Sequence, residues 1–512
     1  MNKEKINFKI FATAMISVII WFLIAHGYRM SNLIYFHDTL LNTVRADIAF
    51  QQSLGRFVQP FVILLFGSIT SSWLISVVAI LFFGLSVWLL CDIFDFDGKA
   101  EIFFLSGFLI CNNVLTTANY MFLPWLDIYA MALFFSVFGV RLLMKGKIPY
   151  IICGCFSMIL SLGLYQAYIS VALAIVFILF VKELYSGKKF KEIYKSAFLY
   201  ICSFVLSGGL YYIIYRVVLV KKGLAESDSY NGLASVARFD FVSVPSLIGT
   251  TYYNFFRFLF EPGIYASGKI HGTPISTFIN ICIIAVNILA FVILIAGLIR
   301  INILKKNSVS SVLLQVFLIA LFPFTSNFVC FMSKGVEHAL MTYGILLVYV
   351  FAFLVLKENL KLTDSKKVKL PMQLIVVPVL WLVLNNVVYS NQIYVKAHIQ
   401  EQNYLSIMTR IVYQIENTEG YKWGETPVAF VGIFGNSKYI PTDVYFDQIG
   451  TGITPFTNNA TYINYLKYHL GANINVYELP VTENIAGDMP CFPEQGYIQF
   501  IDDILVVKIS DQ

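Results

Sequence analysis

The sequence predicts an all-α polytopic membrane protein of about eleven transmembrane helices, N-terminus inside and C-terminus outside, with a small C-terminal extracytoplasmic α/β domain. Three observations predict it. The 512 residues are 58% hydrophobic and only 13% charged, with 46 Phe and 31 Tyr, more apolar than a soluble core requires. Apolar residues come in runs long enough to cross a hydrocarbon layer of about 30 Å. The basic residues gather in short connections on alternate sides of those runs. Distributed this way, a net charge of +6 marks membrane topology and not a nucleic-acid surface.

In chain order the runs fall near 8–25, 73–94, 101–119, 125–144, 149–164, 166–181, 197–219, 276–299, 309–331, 338–356 and 370–389. Tyr165-Gln166 divides the stretch 149–181, which reads as two short spans and a turn. The segment Phe57–Ile69, with Pro60 near its start, is expected to lie in the interface. With the N-terminus inside, twenty Lys and Arg residues occupy the cytoplasmic connections, among them Lys99, Arg141, Lys182, Lys305 and Lys357. Positive residues stay in the cytoplasm, and an odd number of spans then places the C-terminus outside. Ala25-His26-Gly27 has the small-residue spacing of a signal-peptidase site, but the apolar region before it is longer than a usual signal core. The first span is therefore read as retained. Residues 1–390 form the transmembrane domain, with outer loops at 26–72 and 220–275.

The tail, 391–512, has a different composition. Tyr404, Ile407, Ile411 and Ile415 lie at helical spacing within 391–420. Val428–Ile433 and Ile501–Ile509 read as strands, with a helical stretch at Asn459–Leu470 between them. No P-loop, nucleophile elbow or metal motif is present in the sequence. Seven of the eight cysteines fall in or beside apolar spans, and Cys153-Gly154-Cys155 reads as packing residues. Neither a disulfide framework nor a metal site is implied.

The first outer loop gathers the charge that the rest of the chain avoids. Between Tyr35 and Arg56 it holds His37, Asp38, Arg45, Asp47 and Arg56, and charge at a membrane boundary is usually kept for a site. A helix over Asp38–Gln52 would put Leu40, Leu41, Val44 and Ile48 on one face and Asp38, Asn42, Arg45 and Gln52 on the other. Arg45 or Arg56 would then clamp a phosphate, and Asp38 would take a proton from an attacking hydroxyl. A surface helix with solvated charges is the plainer alternative. Asp127, three residues after Pro124, reads either as a helix-dipole carboxylate or, if buried, as the partner of a cation from elsewhere such as Arg45. Tyr165 and Gln166 suit interfacial anchors and equally a sugar. Arg257 among aromatics, and Lys334 with His338 at the start of the tenth span, are candidate phosphate ligands or ordinary boundary residues.

These residues carry a family resemblance. The run Asp38–Arg56 with Arg45, Asp47 and Gly55-Arg56, then Asn119-Tyr120 with Asp127, then Leu162-Gly163-Leu164-Tyr165-Gln166, resemble the serotype-converting, O-antigen-modifying glucosyltransferases. Those belong to the larger GT-C group of polyprenyl-phosphate-sugar-dependent enzymes. The resemblance implies a polyprenyl-phosphate-linked hexose donor, most simply glucose. It also implies a lipid-linked or surface glycan acceptor and an active site on the extracytoplasmic side of a bacterial cell membrane. It further implies a general base from the first loop, Asp38 ahead of Asp47, with Asp127 as a third catalytic candidate. Arg45, Arg56, Asn119, Tyr120, Tyr165, Gln166, Arg257, Lys334 and His338 are then the substrate-binding candidates, with no cofactor and no metal. Some relatives carry adjacent acidic residues where this chain has His37-Asp38.

Three rival classes are weighed against this, of which a membrane anchor for an outer binding domain would not need eleven spans. A lipid-linked oligosaccharide flippase would show internal repeats and charges buried mid-span, whereas here the charges sit at span ends. A polysaccharide polymerase or ligase ranks second to the transferase, because it would place its arginines and histidine in later outer loops.

Overall fold

A computed structural model describes residues 8–227, 241–261, 274–363, 374–432, 434, 456, 458–478 and 486–511. The chain opens with α1 (Phe8–Ser31) and a loop carrying three short helices: α2 (His37–Leu41), α3 (Ile48–Ser53) and α4 (Gln59–Phe66). There follow α5 (Ser72–Phe94), α6 (Lys99–Ile110), α7 (Asn113–Met121), α8 (Leu126–Leu143), α9 (Ile148–Leu164), α10 (Ile169–Tyr185) and α11 (Phe190–Lys222). The second half holds α12 (Val244–Phe260), α13 (Pro274–Lys305), α14 (Val309–Ser326), α15 (Phe328–Met332), α16 (Leu347–Lys361) and α17 (Val376–Glu416).

Among the described residues, eight helices are long and apolar enough to cross a membrane, or nine if α6 and α7, bent by 49° where they meet, form one span. The chain is thus a multi-pass membrane protein. The count is below the expected eleven for two reasons. Helix α9 has only 17 residues. The stretch expected at 370–389 lies partly outside the described residues, and α17 turns polar beyond it. Elsewhere the expected division of 149–181 is present, as α9 ends at Leu164 and a 3-10 turn, Gln166–Tyr168, leads into α10. Helix α4, eight residues long, is too short to span and exposes Phe61, Leu64 and Leu65.

The single helix expected over Asp38–Gln52 is absent. The chain leaves helix after Leu41, because Asn42 turns back to bond the Asp38 carbonyl through both its backbone N–H and its side-chain amide, each at 2.9 Å. The next residues pair across the loop instead. The Arg45 N–H donates to Ser68 O at 2.7 Å, the Thr70 N–H to Thr43 O at 3.0 Å, and Val44 bridges Ile69. Helix then restarts at α3, where the Asp47 carboxylate accepts from the Phe50 N–H at 3.2 Å, an ordinary N-cap.

Helix α17 has 41 residues, about 60 Å at 1.5 Å each, so it outruns an apolar layer of about 30 Å and continues into the C-terminal unit. There Tyr404, Ile407, Ile411 and Ile415 are buried against a four-stranded sheet in the order β2-β1-β4-β3. Its strands are β1 (Pro427–Val431), β2 (Asn475–Val476), β3 (Ile498–Ile501) and β4 (Ile504–Lys508), and α18 (Asn459–Tyr468) covers it. Strand β1 runs parallel to β2 and β4. The run 501–509, expected as one strand, is instead the tail of a hairpin: Asp502 takes a left-handed backbone (φ 53°) and turns β3 into antiparallel β4.

Candidate active site

The loop after α1 is held by two buried guanidinium groups. Arg29, wholly buried at the end of α1, donates to three carbonyls: Asn119 at 3.0 Å, Asn32 at 2.8 Å and Ile34 at 2.9 Å. Arg45 reaches the start of α8, where its Nη1 meets the Asp127 carboxylate at 2.9 and 3.2 Å and the Pro124 carbonyl at 3.2 Å. Its Nη2 donates to Gly67 O at 2.6 Å. Arg45 is 1% exposed and Asp127 0%. A buried carboxylate requires such a partner, and the cation anticipated from the sequence supplies it. The pair ties the first loop to the second turn and faces no solvent.

Asp38 lies on α2, half-buried at the end of the bundle where the loop, α7, α8 and the turn before α16 converge. Its charge is felt at Tyr129 of α8 and at His338. The His338 ring packs edge-on against Phe122 at 5.2 Å, and its Nδ1 is buried with no hydrogen-bond partner among the described residues. Burial pushes its imidazole below the ordinary value, with Asp38 opposing, so the ring is neutral near pH 7. Tyr129 also feels Arg56. That guanidinium sits 4.9 Å over the Tyr165 ring, which packs against Tyr129 at 4.8 Å, and it donates to Gln51 Oε1 at 2.7 Å. Its Nε has no partner among the described residues.

Gly55 fixes where Arg56 stands. With φ at +84° it adopts a backbone that side chains disfavour, and a Cβ there would strike the Tyr211 hydroxyl and come within 2.9 Å of Gln166 Nε2. Those two groups hold the turn: Gln166 donates to Leu54 O at 2.7 Å and Tyr211 to Gly55 O at 3.0 Å.

The structure therefore brings Asp38, Arg56, Tyr165, Gln166 and His338 to one end of the bundle, with Tyr129 beneath Tyr165. What this end offers is a carboxylate, a guanidinium with an unused donor and aromatic faces, a set suited to a phosphorylated sugar. The model of the GtrII glucosyl transferase family matches residues 27–357. The chain belongs to this family. Membership makes the protein a glycosyltransferase, and the match takes in every residue of the cluster. No curated protein and no solved structure matches the chain.

The remaining candidates fall elsewhere in the GtrII chain. Asn119 and Tyr120 are buried: the Asn119 amide donates to Leu115 O at 2.9 Å, and Tyr120 packs against Phe36 at 5.0 Å. Asp47 is exposed as the α3 N-cap. Arg257 pairs with Glu261 at 3.3 Å. Lys334 is exposed in a turn whose next residue, Gly335, lies against Thr250 and Leu247, two turns or more from Arg257 along α12. No group of three His, Cys, Asp or Glu among the described residues is arranged to hold a metal ion. Sequence reasoning missed Tyr129, Gln51 and the buried role of Arg29. For Tyr129 a signal existed: it lies two residues past Asp127, just inside the apolar run, where a phenol needs a reason to be buried.

Proposed function

We propose that the chain transfers a hexose, most simply glucose, from a polyprenyl-phosphate-linked donor to a lipid-linked or surface glycan such as an O-antigen, at the extracytoplasmic face of a bacterial cell membrane. The observation that carries this reading is the half-buried Asp38 carboxylate on the loop that also brings the Arg56 guanidinium onto Tyr165, within a chain of the GtrII glucosyl transferase family. In the proposed reaction Asp38 takes the proton of the acceptor hydroxyl as its oxygen attacks the sugar's anomeric carbon. The bond from that carbon to the phosphate oxygen breaks, and the polyprenyl phosphate leaves with the electron pair. Arg56, with its unused Nε, receives the phosphate charge as it grows. Neutral His338 would donate its ring N–H to the same charge.

Arg45 and Asp127, read from the sequence as a phosphate ligand and a catalytic candidate or else as partners, are assigned the role of partners. Sealed together, they hold the loop so that Asp38 and Arg56 face one space. Asp38 is preferred to Asp47 as the base because Asp47 is spent on the α3 N-terminus. The basic residues at the opposite bundle end support an orientation with the site outside.

The test is surface-glycan analysis of cells carrying Asp38→Asn. Loss of the side-branch sugar with normal polymer length and normal protein level supports the assignment, with the rate down by about 100-fold or more. Full glycosylation removes Asp38 as the base, and shortened polymer favours a polymerase.

A further inference from the structure

The C-terminal unit and the first loop share a core. Leu40, two residues past Asp38, is wholly buried in the cluster built by Tyr404, Met408 and Tyr465. Asn464 of α18 donates to the Leu40 carbonyl at 2.9 Å, and Tyr35 packs edge-on against His469 at 4.7 Å. At this contact lies a carboxyl group for which the reaction has no use. Glu401, on the part of α17 beyond its apolar half, is 5% exposed. Its Oε1 lies 3.7 Å from His469 Nε2, and its Oε2 lies 3.9 Å from His398 Nδ1. Both imidazole nitrogens are buried, with no hydrogen-bond partner among the described residues.

The groups facing Glu401 come from every element around it. Arg29 acts from α1 and the Tyr35 N–H from the loop, Tyr465 from α18, and His398 and His469 from α17 and the end of α18. We propose that Glu401, His398 and His469 form a proton-dependent clasp fixing the C-terminal unit onto the Asp38 helix, with Glu401 a positioning residue for the site. A protonated Glu401 donates to an open imidazole nitrogen and completes the contact. An ionised one leaves a buried charge facing two ring nitrogens, an arrangement the interior disfavours.

Burial raises the Glu401 carboxyl to about 7, against the pull of Arg29 and the Tyr35 N–H. Its contribution to docking is therefore present below the ordinary glutamate value and is lost as pH rises through about 7. Burial lowers His469, so that ring resists charging and opposes docking only as pH falls below its ordinary value. The clasp is tightest in mild acid and loosens above neutrality. Glu401 alone weakens docking about tenfold between about pH 6 and about pH 8.

The link from clasp to catalysis rests on the reading of Asp38 above; the clasp itself does not. The test is hydrogen-exchange protection, corrected for the intrinsic pH dependence of exchange, on the full chain in lipid nanodiscs. In the wild type, peptides covering 33–42 and 459–470 lose protection together, about tenfold from pH 6 to pH 8, while α5 does not change. In Glu401→Gln, neutral throughout, protection stays level. A level wild-type profile overturns the clasp, as does a Glu401→Gln profile that follows the wild type. Should the variant misassemble, the wild-type profile decides alone. Failure of the catalytic reading would appear separately, as full glycosylation by Asp38→Asn with the exchange data intact.

Discussion

The two ends of the helical bundle carry charge in opposite ways. At the lysine-rich end the ion pairs are wet: Lys182 meets Asp95 at 2.7 Å and Lys357 meets Asp97 at 2.8 Å, with the two aspartates 72% and 76% exposed. Arg141 pairs with Asp92 there as well, and Lys305 with Glu358. At the Asp38 end one ion pair is dry, Arg45 with Asp127 at 1% and 0% exposure, although exposed pairs such as Arg257 with Glu261 lie on that side too, and around the dry pair stand groups with unused hydrogen-bonding capacity. Surface pairs contribute little, since water and salt compete for both partners. A buried pair is different: neither member tolerates losing the other. Charge count alone would rank the lysine end as the more important, whereas burial ranks it second.

Three substitutions test that contrast, the largest effect first. Asp127→Asn leaves Arg45 buried without its counter-charge and should cost about 3–5 kcal/mol, read as a drop in thermal midpoint in detergent. The double variant Arg45→Met with Asp127→Leu should recover part of that loss, because no buried charge remains, while the Pro124 and Gly67 carbonyls are left without their donor. If Asp127→Asn proved as stable as wild type, the two ends would not differ. Next, Arg56→Lys keeps the charge but loses the fork and the planar contact with Tyr165. It should lower kcat/KM for the donor about tenfold while leaving the thermal midpoint alone. An unchanged kcat/KM would remove Arg56 from the phosphate. Last, Asp95→Asn at the opposite end, which removes a mostly exposed carboxylate from its pair with Lys182, should shift stability by no more than about 1 kcal/mol, and should leave activity unchanged.

Much of the architecture was legible in the sequence because span length and lysine placement follow from the bilayer, a solvent the chain cannot negotiate with. The break at Tyr165-Gln166 was readable for the same reason, since polar residues interrupt an apolar run. The first loop was half legible. Its charge concentration pointed to a candidate site, but Arg45 and Arg56 look alike as letters, and a guanidinium serves a carboxylate or a phosphate with the same geometry. Only packing shows that Arg45 is consumed by Asp127, 82 residues away. The expected surface helix failed because Asn42 competes for the backbone, a local choice that apolar periodicity does not record. The His398–Glu401 spacing was visible, while His469 arrives from a separate helix.

The bond from Asn464 to Leu40 spans 424 residues. A chain made from its N-terminus emits the Asp38 helix long before the segment that supports it. Until α18 and the sheet have formed, Leu40 lacks the core it enters, and α2 is only five residues long. Catalysis would therefore wait on a segment translated 424 residues after the one it completes.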